Sequence, residues 1–320
     1  MMVALEEGDY VWLSAHLFFG NDLYGAAADE VIKQIAAPVA RECLARGWIR
    51  RFFFVRYNEN GFHIRLRMSG HPDMLESRVK PTLLENIDAA VRRDEKIEQT
   101  GAGKRVAFSH LAWIPYSPEV ERYGGPDGVH LAEEMFHYSS ETAIALLEKI
   151  DPQDRSQRLA KGLLAMLVII HTFCGSRKWA AQFARFYEEN YLRAQARDPQ
   201  GQRLWQEAFR RAHSRQADVL STYLEASWLA LDEGGELTHE LDFYQKHLQR
   251  MRTSLWELVN TGKLVLHATD PRDWINAVTT IVPSYMHMMN NRLGVSIQEE
   301  AYLAVSIHLT IDPQLQEAAR

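Results

Sequence analysis

Residues 52–70 read FFFVRYNENGFHIRLRMSG, and this stretch decides the fold of the first part of the chain. Phe52–Tyr57 is rich in aromatic and β-branched residues, whereas Phe62–Met68 alternates strictly between apolar and polar side chains. Both patterns are typical of β-strands. Because the Asn60-Gly61 dipeptide between them is a strong turn signal, we predict an antiparallel β-hairpin.

The second strand of this hairpin carries a row of basic side chains. Because side chains alternate across a strand, His63, Arg65 and Arg67 share one face. Such a row needs solvent, carboxylates or an anionic ligand to offset the repulsion between like charges. The face is therefore either the solvated side of a half-buried sheet or a surface that binds an anion.

The turn determines whether Arg56 joins this row. With either a two-residue turn at Asn60-Gly61 or a four-residue turn over residues 58–61, the numbers of paired residues sum to an odd value. Since directly paired residues lie on the same face of a sheet, either turn places Arg56 beside the other basic residues. Either turn therefore brings Arg56 into the same row as His63, Arg65 and Arg67.

Strands and helices flank the hairpin, and the pattern becomes almost wholly helical from about Val129. We predict a first strand, a helix ended by Gly47, a second helix and a fourth strand, at Val11–Phe19, Leu23–Arg46, Asp73–Ile97 and Val106–Tyr116. Apolar residues three and four apart then predict helices at Ala160–Cys174, Trp179–Leu192, Gln202–Leu231, Leu237–Asn260, Asp273–Arg292 and Ser296–Leu309. The fold class is α+β, a mainly antiparallel sheet with a large helical C-terminal layer. We predict a single domain over residues 1–320, β-rich at about 8–125 and helical at about 126–320.

The composition limits the functions that are open to the chain. Among 320 residues, 36 Lys and Arg face 42 Asp and Glu, which argues against a surface dominated by direct nucleic-acid binding. The two cysteines, Cys43 and Cys174, imply no disulfide framework. The N-terminus has no signal-peptide pattern, and the longest apolar run, Leu163–Ile170, is too short to span a bilayer. We therefore expect a cytoplasmic protein without membrane contact.

The loop after the fourth strand offers two further charged candidates. Its sequence over 116–126 is YSPEVERYGGP, in which glycines and prolines predict an irregular loop. Loops of this kind often hold ligand-contacting groups on a rigid scaffold. Glu119 and Arg122 therefore either line a pocket beside the basic strand or form an ordinary surface ion pair.

The apolar helix near the C-terminus carries polar residues along one side. Ser284, His287 and Asn291 lie at i, i+3 and i+7, and Pro283 predicts a kink or a restart of the helix. A histidine in a buried helix needs a hydrogen-bond partner or a function. From the pattern alone, His287 is more often a satisfied core histidine than a catalytic group.

No other motif predicts a cofactor or a metal. His130, Glu133, Glu134 and His137 share a helix, but their spacing is not that of an HExxH zinc site. Neither of the glycine-rich nucleotide motifs occurs. We therefore predict no cofactor and no metal.

Three motifs in this order resemble the glutamate-elimination domain of LanB-type lanthipeptide and thiopeptide dehydratases. They are FFFVRYNENGFHIRLRMSG at 52–70, YSPEVERYGG at 116–125 and HMMNNR at 287–292, and the resemblance runs from about Tyr10 to the end. It implies a free-standing carbon-oxygen lyase that expels glutamate from glutamylated Ser or Thr of a precursor peptide. It also implies a separate partner that attaches this glutamate from glutamyl-tRNA.

The resemblance assigns roles to particular residues. His287, Arg65, Arg67, Glu119 and Arg122 are the implied catalytic set. Ser284 and Asn291 join Arg56 and His63 as predicted substrate-binding residues. Whether His287 acts as base or acid is left open.

Two other functions stay open at this stage. Pyridine synthases of thiopeptide pathways have the same fold and perform a formal [4+2] cyclisation, but they tend to lose the arginine, glutamate and histidine set that this chain keeps. A non-catalytic peptide-binding subunit is the other alternative. One departure from the family pattern is Ser139, where relatives often carry Asp, and it puts a helix-capping or substrate-orienting contact in doubt.

Overall fold

A four-stranded antiparallel sheet lies in the first part of the molecule. The computed structural model describes residues 10–20, 22–100, 108–195, 198–266 and 272–312, with the side chains of 97–100 excepted. The strands are β1 (Val11–Phe19), β2 (Arg51–Asn58), β3 (Phe62–Gly70) and β4 (Phe108–Trp113), in the order β2-β3-β1-β4. All three neighbouring pairs are antiparallel, which confirms the predicted fold class and hairpin. The predicted start of the fourth strand at Val106 lies outside the described residues.

The hairpin loop has three residues, and this corrects the predicted position of Arg56. Asn58 pairs with Phe62, so the numbers of paired residues sum to an even value and Arg56 pairs with Ile64. Arg56 therefore lies on the apolar face, opposite to the basic row. The loop reverses the chain through positive φ at Asn60 (58°) and Gly61 (117°), a conformation for which Asn and Gly are the least strained residues.

The apolar face of the sheet forms part of a buried core. Phe52, Phe54, Ile64, Leu66 and Met68 are each at most 1% exposed. Helices of the first part have the bounds α1 (Ala26–Val31), α2 (Ala37–Ala45), α3 (Pro72–Met74) and α4 (Lys80–Thr100), with π-helical segments at Ile32–Ala36 and Leu75–Val79. They correspond to the two helices that the sequence predicts, and α1 contacts both β1 and β3.

Beyond β4, the described residues are helical apart from short connections and one 3₁₀ turn at Glu121–Tyr123. Its helices are α5 (Pro126–Leu147), α6 (Arg155–Cys174), α7 (Arg177–Gln195), α8 (Pro199–Ser214), α9 (Ala217–Glu233), α10 (His239–Asn260), α11 (Trp274–Leu293) and α12 (Ile297–Ile311). The predicted helix Gln202–Leu231 is wrong as one element, because the chain leaves helical geometry at Gln216 (φ −128°). After the break, Phe209 of α8 packs in a cluster with Leu192, Ala301 and Val305, whereas Trp228 of α9 contacts His171, and periodicity alone does not reveal this difference. Pro283 lies inside an unbroken α11.

One described helix, α6, is long and apolar enough to cross a membrane by length and composition. The sequence analysis considered only its uninterrupted apolar run, which is shorter. However, 72% of the apolar window is buried within the protein, and the core helix of a globular fold passes the same test. The helix is thus weak support for a membrane span.

The chain forms two compact units. The first comprises residues 1–118, 136–154 and 291–294, and the second comprises 119–135, 155–290 and 295–320. The sheet belongs to the first unit, and α6 to α10 belong to the second. Because a compact unit need not fold alone, the single-domain prediction for residues 1–320 stays a prediction.

Candidate functional site

The basic row of β3 is built as the alternation predicts. His63, Arg65 and Arg67 share a face on which β1 contributes His16, the residue directly paired with Arg65. Tyr57 of β2 pairs with His63 on the same face. Basic side chains and an aromatic ring are therefore neighbours on this face, which spans three strands.

His63 is buried and holds Arg65 by a hydrogen bond. The Arg65 Nε group donates to His63 Nε2 at 3.1 Å, and His63 Nδ1 lies 2.9 Å from the Gly61 carbonyl oxygen. Since Nε2 accepts and the carbonyl can only accept, His63 is the neutral tautomer with its proton on Nδ1. Burial lowers the pKa of His63, with a further lowering by the Arg65 charge, so that the neutral form is favoured.

A second imidazole lies under the same arginines. The His16 ring stacks on His63 with 4.8 Å between centroids and an angle of 15°. Burial lowers the pKa of His16 to about 4, and the nearby His63, Arg65 and Arg67 add to the effect. Two neutral imidazoles thus support the arginine row without adding to its charge.

Aromatic rings and one carboxylate hold the two arginines. The Arg65 guanidinium lies 3.3 Å from the Tyr57 ring centroid, and its Nη2 group donates to Glu59 Oε2 at 2.6 Å. The Arg67 guanidinium lies 4.2 Å from the Tyr116 ring centroid. Because the Glu59 side chain is 62% exposed, its carboxylate is a weak tether that a substrate carboxylate can replace.

Arg56 has a different environment, as its corrected position requires. Its guanidinium is fully buried and donates to Asp29 Oδ1 at 2.5 Å and to the carbonyl oxygens of Leu23 and Arg292 at 3.1 Å. Asn291 uses both ends of its amide on the Arg56 backbone, accepting from its N–H and donating to its carbonyl at 2.9 Å each. The contacts of Arg56 therefore link β2 to Leu23, Asp29, Asn291 and Arg292 inside the first unit.

In the second unit, the loop residue Arg122 connects to α11. Its Nε group donates to Ser284 Oγ at 3.0 Å, and its Nη1 group donates to Glu119 Oε2 at 3.1 Å. The loop ends at Gly124 and Gly125, whose φ values of 81° and 101° strongly favour glycine. Arg122 thus forms the ion pair with Glu119 that the sequence analysis gave as one of two alternatives, and the Ser284 contact places Arg122 at α11.

His287 lies one turn after Ser284 and pairs with a carboxylate that the sequence analysis missed. His287 Nδ1 is 3.1 Å from both oxygens of Glu300, whose side chain is only 1% exposed. The Tyr187 hydroxyl donates to Glu300 Oε2 at 2.7 Å. Burial raises the pKa of Glu300, and the contacts with His287 and Tyr187 oppose this rise. With Nδ1 turned to the carboxylate, any proton that this imidazole exchanged with a substrate would pass through Nε2.

A sequence signal for Glu300 exists at the start of α12. Ser296 and Glu299 form a capping box, which accounts for the first glutamate of the Glu-Glu pair. The second glutamate then begins the buried face of an apolar helix, where an acid needs a specific partner. The sequence does not tell which residue that partner is, because the contact joins two helices.

The predicted residues fall into two groups. Arg56, His63, Arg65, Arg67 and Asn291 belong to the first unit, and Glu119, Arg122, Ser284 and His287 belong to the second.

Within the described residues, no three His, Cys, Asp or Glu side chains are placed to hold a metal ion.

A family model for the lantibiotic biosynthesis dehydratase C-terminal domain matches residues 12–310. The chain belongs to this family. No curated protein sequence matches significantly.

For this lantibiotic dehydratase C-terminal domain, the departure at Ser139 is not a lost helix cap, because the residue lies in the middle of α5. Its hydroxyl donates to the Phe136 carbonyl oxygen, while Ser140 Oγ accepts from Phe54 N–H and from Arg292 Nε.

Solved structures agree in fold with this family member. They include the tRNA-dependent lantibiotic dehydratase MibB from Microbispora sp. 107891, with a TM-score of 0.61 and 17% identity over 100% of this chain and 29% of MibB. The pyridine synthase TbtD from thiomuracin biosynthesis has a TM-score of 0.71 and 17% identity over 94% of this chain and 96% of its own. TsrL has a TM-score of 0.66 and 18% identity over 97% of this chain and 98% of its own. At such identities the likeness establishes the fold and leaves the reaction open.

Proposed function

We propose that this protein is a lyase that eliminates glutamate from glutamylated Ser and Thr side chains of a ribosomally synthesised precursor peptide. The observation that carries the proposal is the His287–Glu300 pair, one helical turn from the Ser284–Arg122 contact. A histidine oriented by a buried carboxylate is suited to proton transfer, and an arginine beside it is suited to a leaving carboxylate.

The reaction breaks two bonds of the modified residue. The Cα–H proton passes to a base, the electron pair forms the Cα=Cβ double bond, and the Cβ–O bond breaks as glutamate leaves with its electrons. His287 is the proposed proton carrier, as the base for the Cα proton or as the acid for the departing carboxylate. Its Glu300 partner favours the protonated imidazole that forms in the first case.

Arginines supply the negative-charge binding that this substrate needs. The glutamyl group brings a free γ-carboxylate, an α-ammonium and an ester that becomes a second carboxylate. Arg65, Arg67 and Arg122 are proposed to bind these carboxylates through planar forks, and Glu119 is proposed to bind the ammonium or orient Arg122. His63 acts on Arg65 rather than on the substrate in this scheme. Arg56 is not proposed as a substrate-binding residue, because it lies on the other face.

The direct test is a synthetic peptide that carries glutamylated Ser or Thr. Purified protein should release glutamate and leave dehydroalanine or dehydrobutyrine, seen by mass spectrometry as loss of the glutamate mass. Arg65→Gln should retain the glutamylated peptide, with at least about a hundredfold slower elimination. Arg92 is an exposed residue of α4. The variant Arg92→Gln is the matched control and should behave like the natural protein. A validated substrate that the natural protein leaves unchanged would overturn the proposal.

The pyridine synthase reaction is the second candidate, because TbtD is similar over nearly its whole length. A dehydrated peptide with two dehydroalanines would distinguish them, since a synthase would convert it to a pyridine and an elimination lyase would not. The retained arginine, glutamate and histidine set favours elimination.

The proposed elimination needs a substrate to which another activity has attached glutamate from glutamyl-tRNA. We therefore expect transient association with a separate glutamylation protein and with the precursor peptide, in the cytoplasm. Without that partner, unmodified precursor should stay unchanged. With it, dehydrated product should accumulate.

A further inference from the structure

A cavity of about 510 Å³ lies among α7, α8 and α12, inside the second unit. Its lining includes Arg185 and Glu188 of α7, Arg210 of α8 and His308 of α12. None of these residues belongs to the proposed elimination machinery. Most of its lining residues are polar or charged, and Leu309 is the only apolar one among those described.

Two buried ionisable groups face each other in this cavity. His308 Nδ1 lies 3.5 Å from Glu188 Oε2, and the two side chains are 8% and 5% exposed. Among the described residues, His308 Nδ1 has no hydrogen-bond partner. Burial raises the pKa of Glu188, and burial together with Arg185 and Arg210 lowers the pKa of His308 to about 4. A neutral imidazole supplies no positive charge to offset a carboxylate at Glu188.

Arg185 and Arg210 of the cavity differ in whether their guanidinium groups already have a partner. Arg185 Nε donates to Glu189 Oε1 at 3.1 Å. The Arg210 guanidinium makes no hydrogen bond or ion pair with any described residue, although its charge acts on both Glu188 and His308. The cavity therefore offers one uncommitted cation and one buried carboxyl group side by side.

We propose that this cavity binds a small polar amino acid as a zwitterion. The carboxylate of the ligand pairs with Arg210, and its ammonium group donates to Glu188. A simple anion would lie beside the carboxyl groups of Glu188, Glu189 and Asp312, and a simple cation would lie beside Arg185 and Arg210, so that like charges disfavour both. The charged and polar lining residues favour a polar side chain on the ligand. This proposal does not depend on the elimination reaction.

The test is calorimetric titration of the full chain with L-glutamate, which has both charges and a polar side chain. Binding should be roughly millimolar, as for a small polar ligand held by a few charged contacts. Glutarate, which lacks the ammonium group, should bind at least about tenfold more weakly, and so should propylamine, which lacks the carboxylates. Equal binding of glutarate and glutamate would overturn the proposal in favour of a plain anion site, and no binding of glutamate would overturn it outright.

Variants locate the binding in this cavity. Arg210→Gln and Glu188→Gln should each weaken L-glutamate binding at least about tenfold. Arg211→Gln is the matched control, because Arg211 pairs with Glu207 on the same helix and does not line the cavity. Titration of the His308 ring by NMR should show a shift on adding L-glutamate, which reports the site even if a variant folds poorly. Unchanged affinity in Arg210→Gln together with an unmoved His308 signal would overturn the assignment.

Discussion

At the scale of single residues, the buried carboxyl group of Glu300 determines the environment of His287 Nδ1. The Glu300 carboxyl oxygens lie 3.1 Å from Nδ1, so that Nε2 is the ring nitrogen for the proposed proton transfer. Glu300→Gln keeps an acceptor for the Tyr187 hydroxyl but removes the negative charge that favours a protonated imidazole. We expect elimination to slow by about ten- to a thousandfold, seen mainly in kcat, with little change in KM.

Glu299→Gln is the control for this prediction. It lies next to Glu300, but its carboxylate serves the capping box and an ion pair with Arg155. We expect it to lower the free energy of unfolding by about 1 kcal/mol and to leave kcat of the folded enzyme unchanged. If Glu299→Gln and Glu300→Gln slow the reaction equally, Glu300 has no special role at His287.

His63 makes a second prediction at this scale. His63→Leu removes the acceptor that holds Arg65 Nε, so the guanidinium loses orientation while its charge stays. We expect kcat/KM for elimination to fall by about tenfold or more, which is the usual cost of losing a hydrogen bond to a charged group. His110→Leu changes a histidine on the same face that stacks on Phe18 instead, and should retain activity. An unaffected His63→Leu enzyme would show that Arg65 is held in other ways.

At the scale of elements, the hairpin shows what the sequence can and cannot predict. Alternation predicted both strands and the shared face of Arg65 and Arg67, because strand geometry makes that face independent of the turn. The position of Arg56 depended on the number of loop residues, and one residue more or fewer moves it to the other face. The positive φ angles at Asn60 and Gly61 allow several loop lengths, so that composition alone did not distinguish them.

The buried Arg56–Asp29 pair allows this register to be tested by stability. Arg56→Met leaves the Asp29 carboxylate buried without its cation, and we expect the free energy of unfolding to fall by about 3–5 kcal/mol. The double variant Arg56→Met with Asp29→Leu removes both charges and should recover much of the loss. Arg65→Met should cost less than Arg56→Met while stopping elimination, because its carboxylate partner Glu59 is exposed. Chemical denaturation of the three variants measures the difference.

At the scale of the whole molecule, family resemblance predicted residues that pattern alone left ambiguous. Periodicity favoured a core role for His287 over a catalytic one, and the ordered motifs reversed that preference. Contacts between distant segments, such as His287 with Glu300 or Arg122 with Ser284, were outside the reach of the sequence. They depend on how helices pack, which the spacing of apolar residues constrains only within each helix.

The stability of the protein against acid is the last prediction at this scale. The pKa of His16 and that of His308 both fall from 6.5 to about 4 in the folded protein. A folded pKa below the unfolded one means that the contribution to stability is complete above pH 6.5 and is lost as the pH falls towards 4. For His16 this contribution is about 2 kcal/mol between pH 7.5 and 4.5. His16→Phe keeps a ring to stack on His63 but cannot take up a proton. Urea denaturation at the two pH values should therefore show a smaller loss of stability in His16→Phe than in the natural protein, and an equal loss would mean that His16 already titrates normally when folded.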